Sequence, residues 1–223
     1  MRPLNTYIDH TLLKATATPK DIISLCEEAK KYQFFSVCVN SCYVALAKTS
    51  LIESQVKVCT VVGFPLGAMS KEAKVAETKA ALHNGANEID MVINIGLLKG
   101  KDFDAVWKDI EAVRKCMPNN ILKVILETCY LDDLEIIKAS ELAIQSGANF
   151  IKTSTGFGHA GATIHDVKLM QSVGKNKCIK IKASGGIKDV KTALEYINLG
   201  VERLGTSSGV KLVTDNASNA NTY

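Results

Sequence analysis

Along the chain, short runs of β-branched and aromatic residues alternate with longer amphipathic stretches from one end to the other. That is the pattern of βα units around a parallel sheet. Eight candidate strands stand out: Tyr7 to His10, Phe35 to Val39, Lys57 to Val62, Glu88 to Asn94, Ile121 to Thr128, Phe150 to Thr153, Ile179 to Ala183 and Arg203 to Thr206. Helical stretches begin near Thr18-Pro19, Ser41, Ser70, Phe103, Leu131, Thr163, Lys188 and Ser207. Thr18 before Pro19, and Ser70 before Glu72 and Ala73, are helix-start signals, while Gly85, Gly147 and Gly200 fall where helices should stop. Eight units of roughly 28 residues fill the chain and predict a single-domain (β/α)8 TIM barrel over residues 1–212 with a polar tail over 213–223. An open, doubly wound sheet has the same local pattern and is the competing architecture.

Successive side chains in a strand point to opposite faces. In the fourth strand Ile89, Met91 and Ile93 share one face, and Glu88, Asp90, Val92 and Asn94 the other. Likewise Leu122, Val124 and Leu126 oppose Lys123, Ile125 and Glu127, and Ile179 and Ile181 oppose Lys180 and Lys182. In a closed barrel the apolar set packs on the helices and the charged set points inward. Buried charges must pair or do chemistry. Two readings of the interior follow. Lys123, Glu127, Asp90 and Lys180 form a paired network and nothing more, or the residues near the strand ends, Asp90, Lys152 and Lys182, form a reactive group at the C-terminal rim where barrel sites lie.

Composition narrows the function. A net charge of +4 is mild and scattered, without the basic stripe interleaved with aromatics that a nucleic-acid surface needs. No apolar run approaches the ~20 residues of a membrane span. Seven cysteines, an odd number lying mostly in apolar runs and following no secretory signal, predict reduced thiols in the cytoplasm. No metal is expected: Cys38 and Cys42 lack a second pair, and His10, His83, His159 and His165 show no metal-ligand spacing.

The chemistry gathers at two lysines. Phe150-Ile151-Lys152 ends a strand on a lysine ahead of the turn Thr153-Ser154-Thr155-Gly156, and Ile179-Lys180-Ile181-Lys182 does the same ahead of Ala183-Ser184-Gly185-Gly186. Strands six and seven are neighbours in a barrel, so the two lysines project side by side on strands about 4.8 Å apart. A protonated amine cannot attack a carbonyl, but a second ammonium and partial desolvation both disfavour its charge. One lysine is then expected to act as a Schiff-base nucleophile while the other stays charged. Asp90 at the same rim is placed to move protons. The trio suits an aldol reaction without a cofactor, the imine serving as electron sink. Gly156, Gly185-Gly186 and Gly205-Thr206-Ser207-Ser208 follow strands six, seven and eight, where barrels cradle phosphate on backbone N–H groups. Gly156 to Gly161 also spells GxGxxG, but no acidic residue about twenty positions on supports a dinucleotide.

Five motifs in order carry a family resemblance: Ile8-Asp9-His10-Thr11-Leu12-Leu13, Val61-Val62-Gly63-Phe64-Pro65-Leu66-Gly67, Asn87 to Asn94, Lys152-Thr153-Ser154-Thr155-Gly156 and Lys182-Ala183-Ser184-Gly185-Gly186. Over nearly its whole length the chain resembles the deoxyribose-phosphate aldolases, class I aldolases with a (β/α)8 barrel. The resemblance implies reversible cleavage of 2-deoxy-D-ribose 5-phosphate to acetaldehyde and D-glyceraldehyde 3-phosphate, in deoxyribose and deoxynucleoside catabolism, with no cofactor. It implies Lys152 as the Schiff-base lysine, Lys182 as its companion, Asp90 as proton donor and acceptor, and Asp9 as a proton relay or substrate-hydroxyl contact. It implies a phosphate cradle of Gly156, Gly185, Gly186, Ser207 and Ser208. Cys38 aligns with a cysteine near the substrate in some members, and Tyr223 with a C-terminal tyrosine that reaches the site in some. The chain departs from the pattern at Phe157-Gly158-His159-Ala160, where polar residues or a lysine are common, and at Lys188, where arginine is frequent. The partners implied are a sugar phosphate and an aldehyde, with no nucleic acid or membrane, and a homodimer stays open as the assembly. The alternatives are another Schiff-base sugar-phosphate aldolase and a non-catalytic sugar-phosphate binding barrel, which would have no use for paired lysines.

Overall fold

The computed structural model describes residues 2–174 and 178–220. Its eight strands are β1 Ile8–Leu12, β2 Ser36–Val39, β3 Lys57–Val62, β4 Glu88–Val92, β5 Ile121–Ile125, β6 Phe150–Lys152, β7 Lys180–Ser184 and β8 Arg203–Thr206. Each pairs in parallel with the next, and β1 closes on β8 with Asp9 opposite Gly205. Closure rules out the open doubly wound sheet. The helices α1 Pro19–Tyr32, α2 Val44–Ser50, α3 Lys71–His83, α4 Ile95–Lys99, α5 Phe103–Cys116, α6 Asp133–Gln145, α7 Ile164–Gly174, α8 Val190–Asn198 and α9 Gly209–Ala220 complete the described elements.

The local signals act as their chemistry requires. Thr18 and Asp21 cap α1 reciprocally, with Pro19 at the first helical position. Ser70 accepts from Ala73 N at the start of α3. Gly147, at φ +78°, turns the chain out of α6 toward β6, a backbone angle at which a Cβ is unfavourable.

Parity also holds. Ile89, Met91, Leu122, Val124, Ile151 and Ile181 pack outward into the main apolar core beneath the helices, while Asp9, Glu88, Asp90, Lys123, Lys152, Lys182 and Arg203 are buried within the barrel. Four expectations need correcting. β4 and β5 stop at Val92 and Ile125, because Asn94 caps the short helix α4 by accepting from Leu97 N and Glu127 turns with φ +56°. Lys180 shares the inward parity but stands at the open N-terminal mouth of β7, where it is exposed with its ammonium 5.8 Å from the Phe150 ring centroid. A long side chain at a barrel end can keep its charge in water. Glu127 is buried at the rim loops, outside the interior network. Finally, α9 runs on through residue 220, past the boundary drawn at 213, with Leu212 buried and Val210 and Val213 packed against the core.

A second buried pair lies behind β4. Lys74 of α3, fully buried, reaches Asp109 of α5 at 2.5 Å and also donates to Val92 O at 2.9 Å. Burial pulls Lys74 down and Asp109 up, each away from its charged form, by more than the partner restores. Such a pair contributes little net stability yet is costly to break on one side. Lys74→Met alone should destabilise the fold by about 3 kcal/mol, and Lys74→Met with Asp109→Leu should recover most of that loss. Urea unfolding of the two variants measures both.

Candidate active site

The barrel interior is a chain of charges fixed by strand register. Lys152 and Lys182 are direct partners on β6 and β7, Lys182 faces Arg203 on β8, and Asp90 faces Lys123 across β4 and β5. Asp90 lies at the centre. Its Oδ2 accepts from Lys152 Nζ and Lys182 Nζ, both at 2.8 Å, and its Oδ1 accepts from Lys123 Nζ at 2.7 Å and Cys59 Sγ at 3.1 Å. One layer away, Asp9 accepts from Lys182 Nζ at 2.5 Å, from Ser36 Oγ at 2.7 Å and from Arg203. Arg203 continues to Glu88 at 2.7 Å and lies with its guanidinium 3.2 Å from the Phe35 ring centroid. Glu88 Oε2 sits 2.6 Å from Lys123 Nζ as an ion pair without hydrogen-bond alignment.

These contacts set the titration of the interior. Burial alone would raise both aspartates. At Asp9 the charges of Arg203, Lys182 and Lys123 overcome it, and at Asp90 those of Lys123, Lys152 and Lys182, so both stay below the usual carboxylate range. Burial would lower Lys123 and Lys182, but Asp90 and neighbouring charges hold Lys123 above the ordinary lysine range, and Asp9 and Asp90 hold Lys182 there. Lys182 therefore stays charged.

Above this network, at the C-terminal ends of the strands, opens a cavity of about 310 Å³. Lys152 forms part of its lining, together with Gly156, Gly185, Gly186, Ser207 and Ser208 from the turns after β6, β7 and β8. Lys182 is fully buried beneath it and does not reach the lining. Gly185, at φ +83°, lets its backbone meet Gly161, whose added Cβ would fall 2.3 Å from Gly185 O. Gly205 makes room in the same way, since a Cβ there would lie 2.9 Å from Ser184 Cβ and 3.0 Å from Lys182 Cε. A lysine aimed into a pocket from a closed charge network, beside glycine and serine turns, is the arrangement of an imine-forming site for an anionic carbonyl compound.

A family model described as DeoC/LacD family aldolase matches residues 4–211. The chain belongs to that family. It is 58% identical over 210 residues to the deoxyribose-phosphate aldolase of Finegoldia magna, covering 94% of this chain and 98% of that protein. To the deoxyribose-phosphate aldolase of Mycoplasma capricolum it is 51% identical over 218 residues, covering 98% of each. The structure of deoxyribose phosphate aldolase from Aeropyrum pernix, described as tetrameric, superposes with a TM-score of 0.90 at 32% identity, covering 96% of this chain and 91% of that one.

In this aldolase the structure brings Lys152, Lys182 and Asp90 together and places all five glycine and serine positions at one mouth. It does not bring Asp9 to the cavity: three donors already occupy its carboxylate, one layer below. Cys38 is buried beside Cys59, its register partner, and also stays off the lining. Tyr223 lies outside the described residues. Of the departures from the family pattern, Phe157 from the stretch Phe157 to Ala160 and Lys188 line the mouth, with Phe157 edge-on to Phe64 at 5.2 Å. Lys14 lines it too and was missed, although it follows β1 much as Lys188 follows β7. Arg203 and Cys59 were missed as site residues, and strand parity from Gly205 back to Arg203 held the signal for the first. Glu127 accepts from Thr155 N at 3.1 Å and from the Thr155 hydroxyl, so it anchors the turn after Lys152. Cys38, Cys59 and Asp90 offer a thiol–thiol–carboxylate set within 4.8 Å, but three ammonium groups already bind that carboxylate and oppose a cation there.

The pKa directions imply a stability profile. Asp9 and Asp90, lowered on folding, stabilise fully above the unfolded carboxylate pKa of about 4 and lose that contribution as pH falls below it. Lys123 and Lys182, raised on folding, stabilise fully below about pH 10.4 and lose it as pH rises further. Urea unfolding should give level stability from about pH 5 to 9, with a decline on both sides. Asp9→Asn should make the acid decline shallower.

Proposed function

We propose that the chain reversibly cleaves 2-deoxy-D-ribose 5-phosphate to acetaldehyde and D-glyceraldehyde 3-phosphate through a Schiff base on Lys152. The observation that carries the choice of lysine is positional: Lys152 lines the cavity and Lys182 lies fully buried below it. Full-length similarity to deoxyribose-phosphate aldolases supports the substrate.

Charge balance supports the same choice. Lys123, Lys152, Lys182 and Arg203 face Asp9, Glu88 and Asp90, four cations against three carboxylates. Lys152 pairs with Asp90 alone, whereas Lys182 bridges Asp9 and Asp90. Loss of the Lys152 proton gives up one ion pair, whereas loss of the Lys182 proton would give up two. The neutral nitrogen of Lys152 adds to the C1 carbonyl of the open-chain sugar, and loss of water gives the iminium. The C3 hydroxyl gives up its proton, the C2–C3 bond breaks, and its electron pair moves to the iminium as an enamine while D-glyceraldehyde 3-phosphate departs. Protonation of the enamine carbon and hydrolysis release acetaldehyde and restore the amine. Asp90 Oδ2, 2.8 Å from the nitrogen of Lys152, is within reach to take and return these protons, and Lys182 and Asp9 extend the path below it.

Backbone groups at Gly156, Gly185 and Gly186, with Ser207 and Ser208 ahead of α9, would hold the phosphate, and Lys188 and Lys14 add charge at the mouth. The reading places the enzyme in the cytoplasm, supported by seven cysteines that are all free thiols, and no helix among the described residues is long and apolar enough to cross a membrane. It also makes the enzyme a homo-oligomer, a dimer or larger, supported by the assembly described for the Aeropyrum pernix relative.

Borohydride reduction in the presence of deoxyribose 5-phosphate should leave a stable adduct that peptide mapping assigns to Lys152 and that Lys152→Ala abolishes. An adduct on Lys182, or none, defeats the assignment. Lys182→Leu should lower turnover by about a hundredfold or more, the scale of a lost proton-transfer group, as a coupled assay of D-glyceraldehyde 3-phosphate release would register.

A further inference from the structure

The proposed reaction makes no use of Cys59, yet this fully buried thiol touches two members of the charge network. Its sulfur lies 3.1 Å from Asp90 Oδ1 and receives Lys123 Nζ at 3.2 Å. We infer that Cys59 is a positioning residue, whose thiol works with Lys123 to hold Asp90 turned so that Oδ2, and not Oδ1, faces Lys152. The inference rests on the aldolase reading above.

The two arms come from opposite sides. Asp90 is on β4, with Lys123 its register partner on β5 and Cys59 two positions before its partner Val61 on β3. The carboxylate torsion of an aspartate is broad and roughly two-fold, so the side chain does not fix its own plane. Among the lysines only Lys123, at 2.7 Å, holds Oδ1, against two on Oδ2, so without the thiol that oxygen would be held from one flank and could swing. A second donor on the same oxygen from the other flank removes the swing. Lys152 and Lys182 then find the remaining oxygen, at 2.8 Å each.

Cys59 is equipped as the donor. Burial, with the nearby Cys38 sulfur and Asp90 charge, pushes its thiol well above the ordinary range, so the proton stays on sulfur. That single proton has other acceptors nearby, the sulfur of Cys38 and Thr60 O at 3.8 Å. An ionised carboxylate outcompetes both. A simpler role as apolar filler matches its neighbours Leu13, Cys38, Val61 and Phe64, but filler gives no reason for a sulfur set between an ammonium and a carboxylate.

The test compares wild type, Cys59→Ala and Cys59→Ser, each with its thermal midpoint, kcat, KM and borohydride adduct. Cys59→Ala should lower kcat by about five- to fiftyfold, the scale of a slightly misplaced reacting group, with KM changed by less than about twofold. The Lys152 adduct should still form, and Cys59→Ser, which restores a donor at nearly the same place, should recover most of the loss. Wild-type kcat in Cys59→Ala overturns the inference. So does a Cys59→Ser variant as slow as Cys59→Ala, which would make the effect one of volume, or a rise in KM at constant kcat. Absence of the Lys152 adduct from the wild type is a different result: it removes the aldolase reading and the inference with it.

Discussion

The rest of the structure depends on one carboxylate shared by three ammonium groups. Asp90 binds Lys123 through one oxygen and Lys152 and Lys182 through the other, all buried within the barrel. Removing ions from water costs several kcal/mol apiece, and only close, well-placed partners offset that cost. The barrel supplies such placement because register fixes which side chains meet. Lys152 stands opposite Lys182, and Asp90 opposite Lys123, as a consequence of how the strands hydrogen-bond. Backbone pairing thus sets the electrostatics.

The network is also why the two lysines differ. They share a strand position, a similar approach sequence and the same oxygen of Asp90. Their difference comes from below. Asp9 reaches Lys182, and Asp9 is itself fixed by Arg203 and Ser36. Lys182 is therefore doubly paired and buried, while Lys152 keeps a single partner and a face on the cavity. A pair of lysines considered alone leaves out this asymmetry, and it leaves out the counter-charge that both amines share.

Much of this was legible in the order of residues. Alternation along Glu88 to Val92 and Ile121 to Ile125 announces an inward charged face, and a strand ending in Lys152 beside one carrying Lys182 announces two amines at one rim. The closed sheet followed from counting units. What escaped the sequence has physical causes. Lys180 has the parity of an interior residue, but parity does not show how deep a position lies, and a lysine at the barrel mouth turns to water. Glu127 extends an apparent strand, yet its left-handed backbone and its bonds to Thr155 make it a loop anchor. Asn94 looks like a strand residue until its side chain caps α4. Composition suggested that α9 should end near residue 213, because a surface helix with one narrow apolar side, Val210, Leu212 and Val213, reads as polar. Parity along β8 pointed Arg203 inward without naming its partners, and Cys59 could not be read at all, since its meaning lies in Asp90 and Lys123 from other strands.

The arrangement also suits the reaction proposed for Lys152, in which one nitrogen is first a nucleophile and then part of a cationic product. An uncharged Lys152 leaves three cations facing three carboxylates. When the same nitrogen becomes an iminium, positive charge returns at the place where Asp90 Oδ2 already stands, 2.8 Å away. No ion has to travel and no dipole has to turn, which is the benefit of charges held in advance of the reaction. The cost is borne by the fold, which must keep these buried charges closed around that carboxylate. A barrel interior stitched on every side by strand hydrogen bonds is suited to that load.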